Sequence, residues 1–368
     1  MAGNANLCAA KAAKNDEFYT QWNDIEHEMQ AYLEYDPDVF RGKVVLLPCD
    51  DPEASNFTKY FALNFESLGI KKLISTSHAP TKPQEDGRIF VLERDVTCDG
   101  KINIHNIEWD YLNGDGDFRS EEVTALRDEA DMVITNPPFS LFQEFMAWLV
   151  EGGVEFSVIG NMNAIAYKEI FPLIKGNEMW LGAARMGAKY FELPSNAPVK
   201  ANQHEENGVR FQKFGNIAWF TNIEHGRRHG FLELMTMEDN IRHCRRKVVR
   251  ERGYSKYDNY DAIEVPFTEA IPSDCDGVMG VPISFLDKYS PEQFEILGIS
   301  EASGKGGSGD LWDRTSGVRH PLIAGDRTYT RIFIRHRHPE VESRRCGHSL
   351  SQSRSGAIFS EVQARVFA

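Results

Sequence analysis

Asn136-Pro137-Pro138-Phe139 follows a short apolar run, Met132-Val133-Ile134-Thr135, and precedes an amphipathic stretch from Ser140 to Val150. That pattern reads as strand, turn, helix. In an open α/β sheet, the turns at the carboxyl ends of strands are where ligands bind. Two consecutive prolines fix φ and remove two backbone donors, so the carbonyls of Asn136 and Pro137 are held in place. An Asn side-chain oxygen beside such a carbonyl offers two acceptors to one planar amino group. The ring of Phe139 offers a face for stacking on a planar base or amide. This is chemistry for presenting an exocyclic amine to an electrophile. For four residues taken alone, the bland alternative is a rigid turn with Phe139 in the core.

The surrounding elements must position that turn. Trp22, Ile25, Met29, Tyr32 and Leu33 recur at helical spacing, so 20–34 is expected to be an amphipathic helix. Val44 to Leu47 is an apolar run too short for a helix and reads as a buried strand. A helix with Phe57, Tyr60, Phe61 and Phe65 on one face follows, ending near Gly69, and then a second strand, Lys72 to Thr76. This β-α-β order predicts a parallel sheet with a right-handed crossover. Arg88 to Leu92 and Lys101 to Ile104, joined through Asp99-Gly100, predict a hairpin. Ser120 is the expected N-cap of a helix reaching Glu129. Further strands are expected at 155–160 and 216–221, completing a doubly wound α/β sheet. Tyr254 to Tyr260 and Ser303 to Gly309 read as loops, and Ile332 to Ile334 as a terminal strand.

The totals set bounds. A chain of 368 residues suits one large α/β domain with an appended module. Apolar content of 41% with 26% charged residues is ordinary for a soluble globular protein. No apolar run is long enough to span a bilayer, and the Ala/Asn/Lys-rich start does not read as a secretory signal. The six cysteines are scattered without a C-x-x-C pair, which points to a reduced, cytoplasmic setting rather than a disulfide framework or zinc ribbon. A formal charge of −14 argues against non-specific coating of nucleic acid, yet leaves room for a local basic groove. Arginines crowd two stretches, Arg227 to Arg252 and Arg314 to Arg337. Each alone reads as a solvated face; together they favour a phosphate-contacting surface.

Several lookalikes fail. Asn113-Gly114-Asp115-Gly116-Asp117 opens like a calcium loop, but Phe118 stands where glycine is needed and Thr124 where a closing Glu is needed. Gly304 to Gly309 is glycine-rich without the order of a phosphate loop. His225 and His229, four apart among arginines, read as surface histidines, and His336 and His338 are an equally weak metal signal. No metal is expected.

The residues that carry a family resemblance are spread along the chain. They are Asn15 to Gln21 (NDEFYTQ), Leu47 to Phe57 (LPCDDPEASNF) and Gly116-Asp117-Phe118 with Asn136-Pro137-Pro138-Phe139. Further on come Gly215 to Asn222 (GNIAWFTN), Lys256 to Asp261 (KYDNYD) and Gly277 to Pro282 (GVMGVP). With these, the chain resembles the EcoRI-type adenine-specific DNA methyltransferases over about residues 15–338. The resemblance implies a Rossmann-like, S-adenosylmethionine-dependent methyltransferase sheet with a C-terminal DNA-recognition region. It implies a disordered 1–14, a catalytic domain over 15–224 and a target-recognition region over 225–338. The 339–368 tail has no assigned role.

Carried over residue by residue, the resemblance implies that Phe18, Tyr19 and Thr20 hold the cofactor's methionine end. Cys49, Asp50 and Asp51 would lie in the first-strand turn near its ribose or amino group, and Asp117 and Phe118 at its adenine. Asn136, Pro137, Pro138 and Phe139 would hold the target adenine. Trp219 and Phe220 are candidates for a second wall of the base pocket, with core packing as the alternative. Arg245, Arg246 and Lys247 are candidate phosphate contacts. Methyl transfer is an in-line displacement governed by positioning. Two acceptors on the amino protons favour a more sp3-like nitrogen without any strong base. The expected substrate is an adenine flipped from double-stranded DNA, acted on by a monomer. RNA adenine, protein glutamine, or a catalytically inactive DNA-binding module are the alternatives. Two departures stand out: the first-strand turn lacks glycine, and the second strand ends in Ser75-Thr76-Ser77-His78 without a ribose-gripping carboxylate.

Overall fold

A computed structural model describes residues 20–79, 86–93, 108–184, 187–193, 203–300 and 307–339. The chain enters through α1 (Trp22–Tyr35), β1 (Val44–Leu47), α2 (Asn56–Leu63), α3 (Phe65–Leu68) and β2 (Lys72–Ser77). Next come β3 (Arg88–Glu93), β4 (Asp110–Tyr111), α4 (Glu121–Glu129), β5 (Met132–Thr135) and α5 (Phe142–Gly152). The sheet is completed by β6 (Glu155–Asn161), α6 (Phe171–Lys175), β7 (Trp180–Leu181), β8 (Gly187–Glu192), β9 (Gln203–Glu206) and β10 (Val209–Thr221).

The strands line up as β4-β3-β2-β1-β5-β6-β10-β7, with β8 and β9 paired to β10. β2, β1, β5 and β6 are parallel neighbours. Every residue of β1 and β5 is buried, because helices cover both faces. Val44, Leu46 and Val133 enter one core cluster, while Val45, Leu47, Met132 and Ile134 enter the other. That alternation is the period of two of a pleated strand, and it explains why the runs are apolar throughout. β1 sends its chain one way to β2 and is flanked on its other side by β5, so the switch point lies between β1 and β5.

Ser120 caps α4 by accepting from Val123 N at 3.2 Å, as its sequence position predicts. The sheet is mixed rather than parallel throughout: β3 runs antiparallel to β2, and β10 antiparallel to β6. The predicted partner of β3, Lys101 to Ile104, lies outside the described residues; among the described residues β3 pairs with β2 and β4.

The expected strand over 216–221 is only the inner half of β10. Its outer half, from Val209, passes beyond the carboxyl edge of the sheet and pairs there with β8 and β9 as an antiparallel arm. The change of direction falls at a register shift between Phe214 and Ile217, where Asn216 adopts φ +58°. The hairpin of the arm turns on Asn207-Gly208, with φ +52° and +81°. Asn-Gly flanked by alternating residues was the available sequence signal.

The C-terminal half holds α7 (Met237–His243), α8 (Lys247–Arg252), β11 (Ile263–Glu264), β12 (Met279–Pro282), β13 (Phe294–Ile299), β14 (Leu322–Ile323), β15 (Asp326–Arg327) and β16 (Arg331–His336). A second sheet has the order β11-β12-β16-β13. Its inner face shares one apolar cluster with the main sheet, from Leu46 and Val133 through Phe285 and Phe294 to Ile334. His225 and His336 are not surface residues. His225 is 2% exposed, bonded through Nε2 to the Leu181 carbonyl, and burial pushes its pKa down to about 4.

Candidate active site

Asp50 ends the β1 turn, and its environment organises the carboxyl edge of the sheet. Its amide donates to the Thr76 carbonyl at 2.9 Å, and its own carbonyl accepts from Ser75 Oγ at 2.7 Å, tying the turn to β2. Its carboxylate accepts from Ser55 Oγ at 2.7 Å and from Thr135 Oγ1 at 2.5 Å. Ser55 in turn caps α2 by accepting from Phe57 N. Asp50 is 5% exposed, and burial lifts its carboxyl from 3.8 to about 7 against the opposing hydrogen bonds. Both carboxylate oxygens therefore face protein. Asp50 is a buried brace between β1, β2 and β5 at the edge where its sequence position was expected to meet a cofactor.

Thr135 is the residue before Asn136, so the brace ends where the Asn-Pro-Pro-Phe turn begins. Asn136 is half-buried and Pro137 buried. The Pro138 carbonyl accepts from Leu141 N at 2.9 Å and starts a short 3-10 turn over Phe139–Leu141 that leads into α5. The ring of Phe139 stands edge-on to Phe191 and Phe214, with centroids 6.1 and 5.8 Å away. Both partners belong to the projecting arm. Sequence reasoning missed them because β8 and the outer half of β10 were not recognised as strands.

Beside β2, three backbones converge. A Cβ on Gly116 (φ +76°) would fall 2.2 Å from the Ser77 carbonyl oxygen, and one on Gly87 would fall 2.7 Å from the same atom. Only glycine allows this approach. It lays the 112–118 loop across the end of β2, held by Ala79 N to Asp115 O and Gly87 N to Gly114 O, both 2.8 Å. Asp117 then sits at this edge, gripped by Arg119 at 2.6 and 2.9 Å, which holds its carboxyl below the usual range. Phe118 does not join it. It is 4% exposed and packs between Phe145 and Trp148 at 5.0 and 5.7 Å, in the core cluster.

The remaining candidates separate. Thr20 is brought to the β1 turn by Asn56 Nδ2, which donates to its carbonyl at 2.8 Å. Cys49 is half-buried in the turn. Asp51 caps Glu53 and Ala54 amides at 2.9 Å and lies 3.3 Å from Arg88 of β3. Phe18 and Tyr19 lie outside the described residues. Trp219 and Phe220 point to opposite faces of β10, 2% and 0% exposed, against Phe57 and Phe142; neither forms an open pocket wall. Arg245 is exposed, whereas Arg246 pairs with Glu269 over the Phe267 ring and Lys247 pairs with Glu251. All three side chains are exposed, and the two ion pairs lie at the surface, where such pairs are weak.

A small crevice lined by Trp180, His225, Arg227, Arg228, Asp287 and Tyr289 lies at the β7 edge, away from these turns. The edge formed by the β1 and β5 turns suits a polar, nucleoside-bearing cofactor better. The Thr20 and Thr76 hydroxyls are buried near the ends of β1 and β2 with no hydrogen-bond partner among the described residues, and the Gly87–Gly116 approach keeps the neighbouring backbone free of side chains.

The model of the adenine-specific methyltransferase EcoRI family matches residues 6–337, nearly the whole described fold. The chain belongs to this family. It is 42% identical over 308 residues to Type II methyltransferase M.EcoRI of Escherichia coli, covering 81% of this chain and 90% of that protein. It is 36% identical over 338 residues to Type II methyltransferase M.MpnI of Mycoplasma pneumoniae, covering 91% and 92%. A third relative, Type II methyltransferase M.MgeORF184P of Mycoplasma genitalium, is 35% identical over 78% of this chain and 84% of its own. No solved structure matches. As a member of the EcoRI methylase family the chain is an adenine-specific DNA methyltransferase, which requires a methyl donor. Among the described residues, no helix is long and apolar enough to cross a membrane.

Proposed function

We propose that this chain is a site-specific DNA adenine N6-methyltransferase that takes its methyl group from S-adenosylmethionine and acts, as a monomer, on an adenine flipped from the duplex. Restriction–modification or phage and host DNA protection is the setting that fits relatives called Type II methyltransferases. The observation that carries the reading is the junction of two turns: Asn136-Pro137-Pro138-Phe139 follows a residue bonded to Asp50 in the β1 turn, at the switch point of the sheet.

Bound S-adenosylmethionine supplies an electrophilic methyl group on a sulfonium. Thr20, Cys49, Asp51, Thr76 and Asp117 would hold it. Asn136 Oδ1 and the Pro137 carbonyl accept the two amino protons of adenine, which raises electron density on the nitrogen without removing a proton beforehand. Phe139, held edge-on by Phe191 and Phe214, supplies a stacking wall for the base. The brace from Asp50 keeps these acceptors at a fixed distance from the cofactor side, where small misplacements are costly. Residues 15–224 form the catalytic domain and 225–338 the target-recognition region, with the shared apolar cluster holding the two together.

The test is Asn136→Ala, assayed for methyl transfer to duplex DNA and for DNA binding. A rate loss of about 100-fold or more with nearly unchanged DNA affinity is expected. Full activity of the variant overturns the assignment.

A further inference from the structure

The Lys256 to Asp261 segment has no part in the catalytic edge, yet it makes a dense set of bonds. Asn259 is 1% exposed. Its Nδ2 donates to the carbonyls of Val318 at 2.7 Å and His320 at 2.9 Å, and its Oδ1 accepts from Leu322 N at 2.9 Å. Asp258 accepts from Gly325 N at 2.8 Å, and its own amide donates to the Leu322 carbonyl at 2.9 Å. The Tyr260 hydroxyl donates to the Arg319 carbonyl at 2.5 Å while its ring stacks on Phe333 of β16, centroids 4.8 Å apart. Trp312 Nε1 adds a bond to the Val318 carbonyl at 3.0 Å. These contacts clamp main chain between 313 and 330, a stretch whose own strands, β14 and β15, are two residues each. A surface loop held this way is ordered before any partner arrives.

What it displays differs from most of the C-terminal half, where Arg245 and Arg252 are the other exposed arginines without an ion pair or side-chain hydrogen bond among the described residues. Arg227, Arg228, Arg242, Arg246, Arg331 and Arg335 are each paired with an acidic side chain. Arg314, Arg319 and Arg327 are exposed on the clamped segment and make no ion pair or side-chain hydrogen bond among the described residues. Tyr329 beside them is 84% exposed, more than any other large apolar side chain described. Two nearby carboxylates are occupied by backbone amides, Asp258 by Gly325 and Asp313 by Thr315. Asp310 and Asp326 remain exposed. The segment therefore offers discrete guanidinium groups rather than a broad positive field. In a chain of net charge −14, three such arginines and a bare aromatic ring on one ordered loop suit a polyanion with planar bases.

We propose that residues 313–330 form a duplex-DNA contact surface, with Arg314, Arg319, Arg327 and Tyr329 as contact residues and Asp258-Asn259-Tyr260 as the clamp that preorganises it. This rests on the reading of the chain as a DNA methyltransferase. Preorganisation lowers the entropy cost of binding, which gives a structural role to a motif remote from the chemistry.

The experiment compares the full-length protein with its Arg314→Ala/Arg319→Ala/Arg327→Ala variant. Binding to a short fluorescein-labelled duplex of mixed sequence is followed by anisotropy over a range of salt concentrations. S-adenosylmethionine calorimetry serves as the check on the catalytic fold. The variant is expected to bind DNA at least about 10-fold more weakly, with a salt slope reduced by about one for each phosphate that an arginine no longer neutralises, and to bind the cofactor as before. Unchanged DNA affinity and slope in the variant, with wild type binding normally, overturns this surface alone. A wild-type protein that binds no duplex overturns the DNA reading itself. Hydrogen exchange tests the clamp in the free protein: slow exchange at Leu322 and Gly325 amides is expected, and fast exchange there overturns preorganisation.

Discussion

Thr135 Oγ1 lies 2.5 Å from Asp50 Oδ2, so the residue preceding the Asn-Pro-Pro-Phe turn is bonded to the residue that ends the β1 turn. The two turns flanking the switch point are thereby joined through one buried carboxylate, whose other oxygen accepts from the cap of α2. A displacement of either turn must break a hydrogen bond to a group with no access to water. That gives the site its rigidity in physical terms.

Thr135→Val tests this link with nearly constant volume. It leaves Asp50 Oδ2 buried without its donor, a change expected to cost about 1–3 kcal/mol. Urea unfolding measures that cost. Single-turnover methyl transfer should slow by about 10-fold or more while DNA affinity stays within experimental error. An unchanged single-turnover rate shows that the link does not position Asn136.

The raised pKa of Asp50 predicts a pH dependence of stability. Burial lifts the carboxyl from 3.8 to about 7, so the folded chain holds this proton more tightly than the unfolded chain does. The contribution is fully present below pH 3.8, is lost as pH climbs towards about 7, and is level above it. Asp50→Asn removes the titration. The melting temperature of the variant relative to wild type should therefore rise between pH 4 and 7. A difference that stays flat across that range counts against a titrating Asp50.

Glycine at 116 should be irreplaceable while glycine at 114 is not. Gly116→Ala combines φ +76° with a Cβ 2.2 Å from the Ser77 carbonyl oxygen, whereas the nearest atom to a Cβ on Gly114 is Glu122 Oε2 at 3.7 Å. The left-handed conformation alone costs about 1–2 kcal/mol, and the clash must also move the loop bearing Asp117. Calorimetry should show weaker S-adenosylmethionine binding for Gly116→Ala and near-normal binding for Gly114→Ala. Equal affinities for the two variants contradict a role for this close approach.

Glu264 and Arg331 form a buried pair in the second sheet, with contacts at 2.6 and 3.0 Å and both side chains about nine-tenths buried. Tyr257 also donates to Glu264. Removing either partner alone strands a buried charge and should cost about 3–5 kcal/mol. Glu264→Leu combined with Arg331→Met should cost clearly less than the sum of the single changes. A double-mutant cycle in urea measures the coupling, and strict additivity rules it out. Arg331, though part of an arginine-rich stretch, is then a structural residue and not a DNA contact.

The order of strands and helices around the catalytic turn was legible in the residues. Runs such as Val44 to Leu47 and Met132 to Thr135 are apolar throughout because both faces of a central strand are covered, and Ser120 caps its helix by purely local chemistry. The Asn-Pro-Pro-Phe turn is equally local, since proline fixes its backbone whatever surrounds it. The family resemblance was readable for the same reason: the motifs are continuous in the chain.

Partnership was not legible, because it depends on residues far apart in sequence. Nothing local distinguishes Asp50, buried against Thr135, from Asp51, which faces Arg88. Phe118 and Trp219 carry the aromatic chemistry of a binding wall, and only packing shows them to be core. Arg246 and Arg327 are the same residue type in comparable basic stretches, but one meets Glu269 and the other meets no acid among the described residues. Side-chain identity sets what a group is able to bind, whereas the fold decides which groups are already bonded and which remain available to a ligand.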